Sequence, residues 1–301
     1  MSPCLLATIT TVSPSRLRHR ILAPARLLKK VTRIGKPSEI SRARMKEFLS
    51  EMDRRPRVSL PSEAPGSVAL IVPCFGHAAF LADMFDSIVA QTRLPDEVLF
   101  IEDCSPDSTG DILRSLIAAH RDAAGGRLEM LVNDRNIGQA ASLNRGIAAA
   151  SSDLIMILND DDYLMHDAIE SMLGFFRQHP DVALIGAHSI HFAGHDWLAG
   201  APKTSAAWAA PGLPLVVQRP KQLRGYRRYN DLNMTHSGSC FLKIAWEVVG
   251  GYRADKTQRV VPFSDRDFQL RVNALWPVAV SYETPFSFWR RDSSVDVHRN
   301  S

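Results

Sequence analysis

The sequence predicts an α/β protein with a mostly parallel β-sheet. Short apolar runs typical of strands buried on both faces alternate with segments whose apolar residues recur at helical spacing. This alternation is typical of right-handed βαβ units, in which the strands are parallel. Polar residues follow the ends of successive predicted strands, and the carboxyl ends of parallel strands are where open α/β sheets bind ligands.

The predicted strands and helices begin at Val68. The apolar run from Val68 to Val72 is expected to end at Pro73, and it leads into strands at 97–101, 128–132 and 154–158 and helices at 79–89, 106–119 and 140–150. The second half is less regular, with helices predicted at 167–179, 243–249 and 264–275 and strands at 182–186, 239–242, 278–281 and 286–289. Residues 192–234 have weak periodicity, which is typical of a long functional loop.

Residues 1–64 are predicted to form a basic extension and linker, and residues 65–301 a single folded domain. Residues 1–60 carry 14 Lys and Arg against 4 Asp and Glu, whereas the rest of the chain has 22 basic and 28 acidic residues. The mildly acidic domain argues against nucleic acid as a partner. Basic and apolar residues alternate between residues 16 and 31, which fits either peripheral contact with an anionic membrane surface or a solvated tail.

Two features of the composition favour a cytoplasmic protein, with any peripheral contact on the inner face of the membrane. No apolar run reaches the ~18 residues that a membrane span needs. The four cysteines are far apart and form no C-x-x-C pair, so neither a disulfide framework nor a zinc site is expected.

An acidic stretch follows the fourth predicted strand. Five apolar residues from Leu154 to Leu158 run directly into Asn159 and three consecutive aspartates, 160–162. Adjacent carboxylates repel one another, and a site with hard oxygen ligands and room for phosphate oxygens suits Mg²⁺ or Mn²⁺. The alternative is an acidic helix start with Asp162 as its N-cap.

Polar residues follow two other predicted strands. Asp103 comes after the second strand, and Asn133 and Arg135 come after the third. In a parallel sheet these residues would converge with the acidic stretch in one crevice. No G-x-G-x-x-G follows the first strand, so the dinucleotide-binding fingerprint is missing.

Five ordered motifs resemble those of the inverting glycosyltransferases of family 2, and the resemblance covers about residues 67 to 290. The motifs lie at residues 68–75, 101–107, 136–147, 159–161 and 264–271. Members of this family have the GT-A fold, which is Rossmann-like. The resemblance therefore implies a mixed, mostly parallel sheet with helices on both faces.

The resemblance also implies a reaction, a cofactor and site residues. Such an enzyme transfers one sugar, non-processively, from a nucleotide-diphosphate sugar to an acceptor hydroxyl with inversion, using Mn²⁺ or Mg²⁺. The donor would be a UDP-sugar and the acceptor a glycan or lipid-linked molecule, in cell-surface polysaccharide or glycolipid synthesis. The motifs assign Asp161 to the metal, Asp265 to catalysis, and to the nucleotide sugar Pro73, Phe75, Asp103, Gly138, Asn144, Asn159 and Asp160. Arg135 is added to the predicted nucleotide-sugar residues because it follows the third strand.

The chain departs from the family pattern at several positions. Asn159 stands at the first D-x-D position, which leaves more of the metal binding to Asp161. Ser264 replaces a frequent glutamate, and His298 is a weaker candidate for a further metal ligand. These departures affect the identity of the substrate more than the class of reaction.

Two other functions fit parts of the pattern. A sugar-phosphate nucleotidyltransferase would need a Gly-rich, Lys-bearing loop after the first strand, and residues 75–77 are a poor version of it. A non-catalytic module that binds a nucleotide sugar or a glycan would keep the crevice but would need no base at Asp265.

The catalytic base is predicted from the family's motif and from its position in a helix, and the acceptor side from the composition of a loop. Asp265 is predicted at the start of a helix, where a carboxylate stays ionised. Asp267 is the competitor; it should point to a different helix face and can pair with Arg271 at i+4. Aromatic and basic residues of the 192–234 loop would either line the acceptor side or pack the domain, namely Trp197, Trp208, Tyr226, Arg227, Arg228 and Tyr229.

Overall fold

The computed structural model of the chain describes residues 42–121, 126–194, 200–209, 215–220, 234–261 and 263–291. These residues lie within one compact unit, Glu39–Ser301. The strands in this part of the chain are β1 (Val68–Cys74), β2 (Glu97–Glu102), β3 (Arg127–Val132), β4 (Leu154–Ile157), β5 (Tyr163–Leu164), β6 (Leu184–Ala187), β7 (Ile190–Phe192), β8 (Leu215–Gln218), β9 (Cys240–Leu242), β10 (Val278–Ser281) and β11 (Ser287–Arg290).

Eight of these strands form a mixed, mainly parallel central sheet in the order β3-β2-β1-β4-β9-β6-β10-β8. The β1–β2, β2–β3 and β1–β4 pairs are parallel, as are β6 and β10. β9 lies antiparallel between β4 and β6, and β8 is antiparallel to β10. The carboxyl ends of β1 to β4 therefore meet at one edge of the sheet, as the sequence predicted.

The helices of the described residues are α1 (Arg42–Asp53), α2 (Leu81–Val89), α3 (Thr109–His120), α4 (Gln139–Ala149), α5 (Ala168–Gln178), α6 (Ser205–Trp208), α7 (Lys243–Val249) and α8 (Ser264–Leu275). They cover both faces of the sheet. Phe85 of α2 stacks on Phe100, with ring centroids 5.6 Å apart. Gly146 of α4 packs closely on Ile101. Because adjacent residues of a strand point to opposite faces, α2 and α4 lie on opposite sides of β2.

The first strand does not end at Pro73, as the sequence analysis expected, but continues to Cys74. Its pairing with β2 extends to Cys74, whereas its pairing with β4 stops at Ile71. Ile71 turns its carbonyl toward the β4 side, where it accepts a hydrogen bond from Leu158. Successive residues alternate, so Pro73 faces the same side, beyond the last paired residue of β4. The missing N–H of Pro73 therefore removes no sheet hydrogen bond.

Several elements of the second half had no clear signal in the sequence. β5, β11 and β7 form a separate three-stranded sheet, in that order. β8 and the short helix α6 lie within the region that was predicted to be irregular. β11 agrees with the strand predicted at 286–289. β5, β7 and β8 were not predicted, because they have only two to four residues, too few for a periodic pattern to distinguish them from loops.

Helix α1 lies within the predicted extension but packs on the domain. Phe48 and Met52 are buried in the same apolar core as the sheet. Glu51 also accepts a hydrogen bond from Arg253. Residues 42–53 thus contribute to the core, while the predicted boundary at residue 64 and the predicted membrane contact of residues 16–31 stay predictions, the latter outside the described residues. In the part of the chain that the structure describes, none of the helices combines the length and apolar character of a membrane span.

Candidate active site

The acidic loop, Asn159–Asp162, lies at the carboxyl end of β4. β4 pairs with β1 up to Ile157, and the next residues leave the sheet at the edge where β1 and β2 also end. The exposed fractions of Asp160, Asp161 and Asp162 are only 4%, 8% and 0%. Three adjacent carboxylates so far from water need positive charge or hydrogen-bond donors to remain in place.

Asp162 has a structural role in this loop. Its carboxylate accepts hydrogen bonds from the Ser237 hydroxyl at 2.5 Å, the Asn159 amide at 3.2 Å and the Arg290 backbone N–H at 2.9 Å. Burial and the adjacent charge of Asp161 raise the pKa of Asp162 well above its usual range. The alternative role predicted for Asp162, an N-cap, is wrong, because α5 begins only after Asp167.

Asp160 joins the acidic loop to the loop after β1. Its two oxygens accept hydrogen bonds from the Phe75 backbone N–H at 2.9 Å and from the His77 Nδ1 position at 2.7 Å. Burial lowers the pKa of His77, but the hydrogen bond and charge of Asp160, with smaller contributions from Asp161 and Asp107, raise it to about 9. The position therefore has a strongly negative potential, which favours any cation placed there.

The residues at this position fit a divalent cation. One ligand atom from each of His77, Asp160 and Asp161 can be chosen so that all three lie within 4.8 Å of one another. Carboxylate oxygens suit Mg²⁺ and Mn²⁺, and an imidazole nitrogen is compatible with Mn²⁺. The structure thus brings Asp161, the predicted metal ligand, together with a histidine that the sequence analysis did not select.

Arg290 is buried and contacts the acidic loop. Its side chain is almost completely buried, and its guanidinium lies 4.1 Å from the ring centroid of Phe80 and 4.7 Å from that of Phe192. The Nε atom donates to the Asp161 carbonyl at 3.3 Å, and Nη2 donates to the Tyr163 hydroxyl. A buried guanidinium beside the loop offsets part of the charge of the three carboxylates.

Asp103 organises the loop that leads into α4. Its carboxylate accepts hydrogen bonds from the Asn133 amide at 2.7 Å and from the backbone N–H groups of Ile137 and Gly138 at 2.8 Å each. Gly138 has a φ of +84°, a conformation that favours glycine. A carboxylate offers about four acceptor positions, so Asp103 retains one, and its predicted contact with a nucleotide base stays a prediction.

The other residues predicted to bind the nucleotide sugar differ in their exposure and in their contacts. Phe75 is 38% exposed, so its ring is available for stacking, whereas Pro73 is buried in β1. Arg135 is exposed beside the loop that follows β3. Asn144 instead bridges to the second half of the domain, because its amide bonds the backbone N–H and carbonyl of Tyr252. Its contact with a donor stays a prediction.

Asp265 and Asp267 both lie in the first turn of α8, in different surroundings. Asp267 is fully buried and forms an ion pair with Arg271, with 2.8 Å between Oδ2 and Nε. It also accepts a hydrogen bond from the Val260 N–H. The predicted i+4 pairing with Arg271 is therefore confirmed. Asp265 is half-buried, and no described residue donates a hydrogen bond to its carboxylate.

Residues 236–237 connect Asp265 to the acidic loop. Ser237 bonds the acidic loop, and the next residue back, His236, lies 3.1 Å from the Tyr252 hydroxyl through Nε2. Burial and the charge of Asp265 raise the pKa of Tyr252, and burial lowers the pKa of His236 although Asp265 acts in the opposite direction. Asp265 is thus close enough to influence both side chains. The sequence analysis missed His236 because no pattern marks this segment.

Comparison with known proteins identifies the class to which this fold and site belong. The model of Glycosyl transferase family 2 matches residues 69–245, more than half of the chain. The chain therefore belongs to this family, as the motifs indicated, while the inversion that the resemblance implies stays a prediction.

Curated relatives match part of the chain. An uncharacterized glycosyltransferase of Haemophilus influenzae is 30% identical over 115 residues, which are 38% of this chain and 40% of that protein. The succinoglycan biosynthesis protein ExoO of Rhizobium meliloti is 31% identical over 106 residues, 35% of this chain and 28% of ExoO. The chain thus matches well under half the length of these two relatives.

Solved structures share the fold at low sequence identity. Residues 1–349 of S. aureus TarS align with a TM-score of 0.57 and 13% identity, over 75% of this chain and 60% of that one. The complex of the same protein with UDP-GlcNAc aligns with a TM-score of 0.55 and 15% identity, over 77% and 62%. Together with the mixed, mainly parallel sheet, this likeness confirms the predicted GT-A fold.

Several residues that the sequence analysis proposed lie outside the described residues, namely Trp197, Tyr226, Arg227, Arg228, Tyr229 and His298. Trp208 is described and buried. Its indole N–H donates to the Pro202 carbonyl at 2.8 Å, and its ring packs edge-on against Phe288. Of the two roles predicted for Trp208, the structure supports packing.

Proposed function

We propose that the chain transfers a sugar from a nucleotide-diphosphate sugar, with a UDP-sugar as the first donor to test, to an acceptor hydroxyl with inversion at the anomeric carbon. One observation carries this proposal: residues 236–237 run from the buried acidic loop to the neighbourhood of Asp265. A loop with ligands for a cation and a carboxylate that could accept a proton would thus face the same crevice. Family membership and the fold support the same reaction class.

The acidic loop would hold the donor diphosphate. We assign Asp161 as the direct ligand of Mn²⁺ or Mg²⁺, which when bound supplies positive charge to the leaving diphosphate. Asp160 would contact the sugar or ribose, and Asn159 would help to position the loop. The exposed ring of Phe75 and the remaining acceptor position of Asp103 would receive the base, with Pro73 shaping the turn beneath them.

The remaining donor contacts would come from the far side of the crevice. Gly138 directly precedes α4, and the backbone at this helix start would face the diphosphate. Arg135, which is exposed in the loop after β3, would add positive charge there. Asn144 would contribute by fixing the Gly251–Tyr252 turn through its hydrogen bonds to the backbone of Tyr252.

Asp265 would act as the general base. As the acceptor oxygen forms its bond to the anomeric carbon and the bond from that carbon to the diphosphate breaks, the hydroxyl proton passes to the Asp265 carboxylate. Displacement in one step from the face opposite the diphosphate gives inversion. The half-buried Asp265 is available for this role because no described residue occupies its oxygens.

The acceptor is proposed to be a glycan or a lipid-linked molecule in the synthesis of a surface polysaccharide or glycolipid. ExoO is named for succinoglycan biosynthesis, which supports this setting. We further propose a non-processive enzyme on the cytoplasmic side, with residues 16–31 as a peripheral membrane contact. Flotation of the full chain with anionic vesicles, compared with a chain lacking residues 1–38, tests that contact.

The test of the activity is a donor panel. The full chain is incubated with UDP-, GDP- and TDP-sugars and Mn²⁺, with and without sugar acceptors, and nucleoside diphosphate release is measured. Asp161→Ala should abolish release and metal-dependent donor binding, and NMR of the product should show an inverted anomeric centre. Donor binding with no release from any donor would instead indicate a non-catalytic binding module, and retention would refute the single displacement.

A further inference from the structure

His77 lies in the crevice but has no role in the proposed reaction. It follows β1 by three residues, and Nδ1 lies 2.7 Å from Oδ1 of Asp160. Its side chain is only 18% exposed. The position is the carboxyl end of a central strand, where ligand-binding residues of this sheet are expected.

The loop that carries His77 is held rigidly by its neighbours. The Phe75 N–H donates to Asp160 at 2.9 Å, and the Ala78 N–H donates to Asp107 at 3.1 Å. The Gly76 N–H donates to the Ser105 hydroxyl at 3.3 Å. These hydrogen bonds fix the backbone on both sides of His77, which is the support that a preorganised ligand needs.

The spacing of the three side chains matches an ion that lies between them. Two ligands each about 2.1 Å from an octahedral ion lie about 3.0 Å apart when adjacent and about 4.2 Å apart when opposite. Ligand atoms of His77, Asp160 and Asp161 fall within 4.8 Å of one another, so small side-chain movements complete the site.

We propose that His77 is a direct ligand of the divalent cation, together with Asp161, and that its nitrogen makes the site prefer Mn²⁺ to Mg²⁺. This inference rests on the proposed function, because it presumes that Asp161 binds the cation. Magnesium prefers an all-oxygen environment, whereas imidazole is a good ligand for transition metals. Asp160 then holds both the ring and the loop through its two oxygens.

Electron spin-echo envelope modulation on the full chain with Mn²⁺ alone tests the proposal. A coordinated imidazole gives ¹⁴N modulation, and labelling the protein with ¹⁵N-histidine should change its frequencies without any substitution. His77→Gln should remove the modulation and weaken Mn²⁺ binding by at least about tenfold, with a smaller loss for Mg²⁺. His120→Gln, at the C-terminal end of α3, serves as the control and should change neither.

The outcomes separate this inference from the proposed function. Suppose that Asp161→Ala abolishes Mn²⁺ binding but the wild-type chain gives no modulation from a histidine nitrogen. The role of His77 as a ligand is then refuted, and the assignment of Asp161 to the metal is retained. Modulation that disappears in His298→Gln and persists in His77→Gln would also refute it. If Asp161→Ala binds Mn²⁺ as the wild type does, the metal assignment in the proposed function is wrong.

Discussion

The two aspartates at the start of α8 provide a direct test of the base assignment. Asp265 and Asp267 are two residues apart, and each can be changed to asparagine with almost no change of shape. Asp267 is fully buried against Arg271, whose second terminal nitrogen has no hydrogen-bond partner among the described residues. Asp265 is half-buried and accepts no hydrogen bond from a described residue. The two substitutions should therefore affect different properties.

Asp267→Asn should affect stability. It leaves the buried Arg271 guanidinium without its compensating charge, and breaking a buried pair in this way costs about 3–5 kcal/mol. For a domain of this size, each kcal/mol lowers Tm by roughly 2–4 °C, so we expect a fall of about 10 °C. Asp265→Asn removes no contact and should change the free energy of unfolding by less than about 0.5 kcal/mol. It should lower kcat by roughly 10²- to 10⁴-fold.

Urea unfolding followed by fluorescence, and initial rates on the donor found in the panel, measure these two effects on the same preparations. Donor affinity from calorimetry should be unchanged in Asp265→Asn, which shows that the site is intact. Rates for Asp267→Asn must be taken at a temperature where it is folded. If that variant is stable and inactive while Asp265→Asn turns over normally, the assignment is refuted and the two roles are exchanged.

Four further substitutions test the scaffold. Gly146→Ala should destabilise the fold by about 1–3 kcal/mol in urea, because its Cβ would lie 2.5 and 2.9 Å from two isoleucine side-chain carbons. Gly174→Ala, with open space, should instead stabilise by about 0.5–1 kcal/mol. Burial raises the pKa of Glu97, but hydrogen bonds from Ser151 and Ser152 lower it overall. Glu97→Gln should therefore lower Tm by the full amount at pH 7 and by less below about pH 4. Arg290→Lys should lose at least about 2 kcal/mol of stability and weaken Mn²⁺ binding, because lysine cannot replace the planar guanidinium.

The sequence was sufficient for the first half of the fold. The runs at 68–72, 97–101 and 154–158 are apolar throughout because both faces of these strands are covered, and such runs are visible in one chain without other information. The helices between them have one apolar face and are equally visible. In the second half, β6, β9, β10 and β11 were also predicted, but β5, β7 and β8 gave no such signal. Pairing with distant residues, and not local pattern, makes these three segments strands.

The location of the candidate site was predictable from the sequence, but the separate roles of its residues were not. A buried strand that runs into carboxylates places the acidic loop at the ligand-binding edge, and the resemblance assigns Asp161 to the metal. Which of the three adjacent aspartates has a structural role depends on hydrogen-bond partners that are far away in the sequence. Asp162 is satisfied by Ser237 and Arg290, and Asp160 by the loop after β1.

These partners explain why the acidic loop can exist in a nearly buried position. Asp160 and Asp162 both accept hydrogen bonds from distant parts of the chain, and burial raises the pKa of both. Asp161 lies between them and can place an oxygen close to His77 and Asp160, which is why we assign the metal to it. Arg290 adds a buried positive charge from a strand that belongs to the smaller sheet. The second half of the domain therefore acts on the reaction through the shape of this loop. Substitutions of Arg290 in β11 should consequently alter metal and donor binding together.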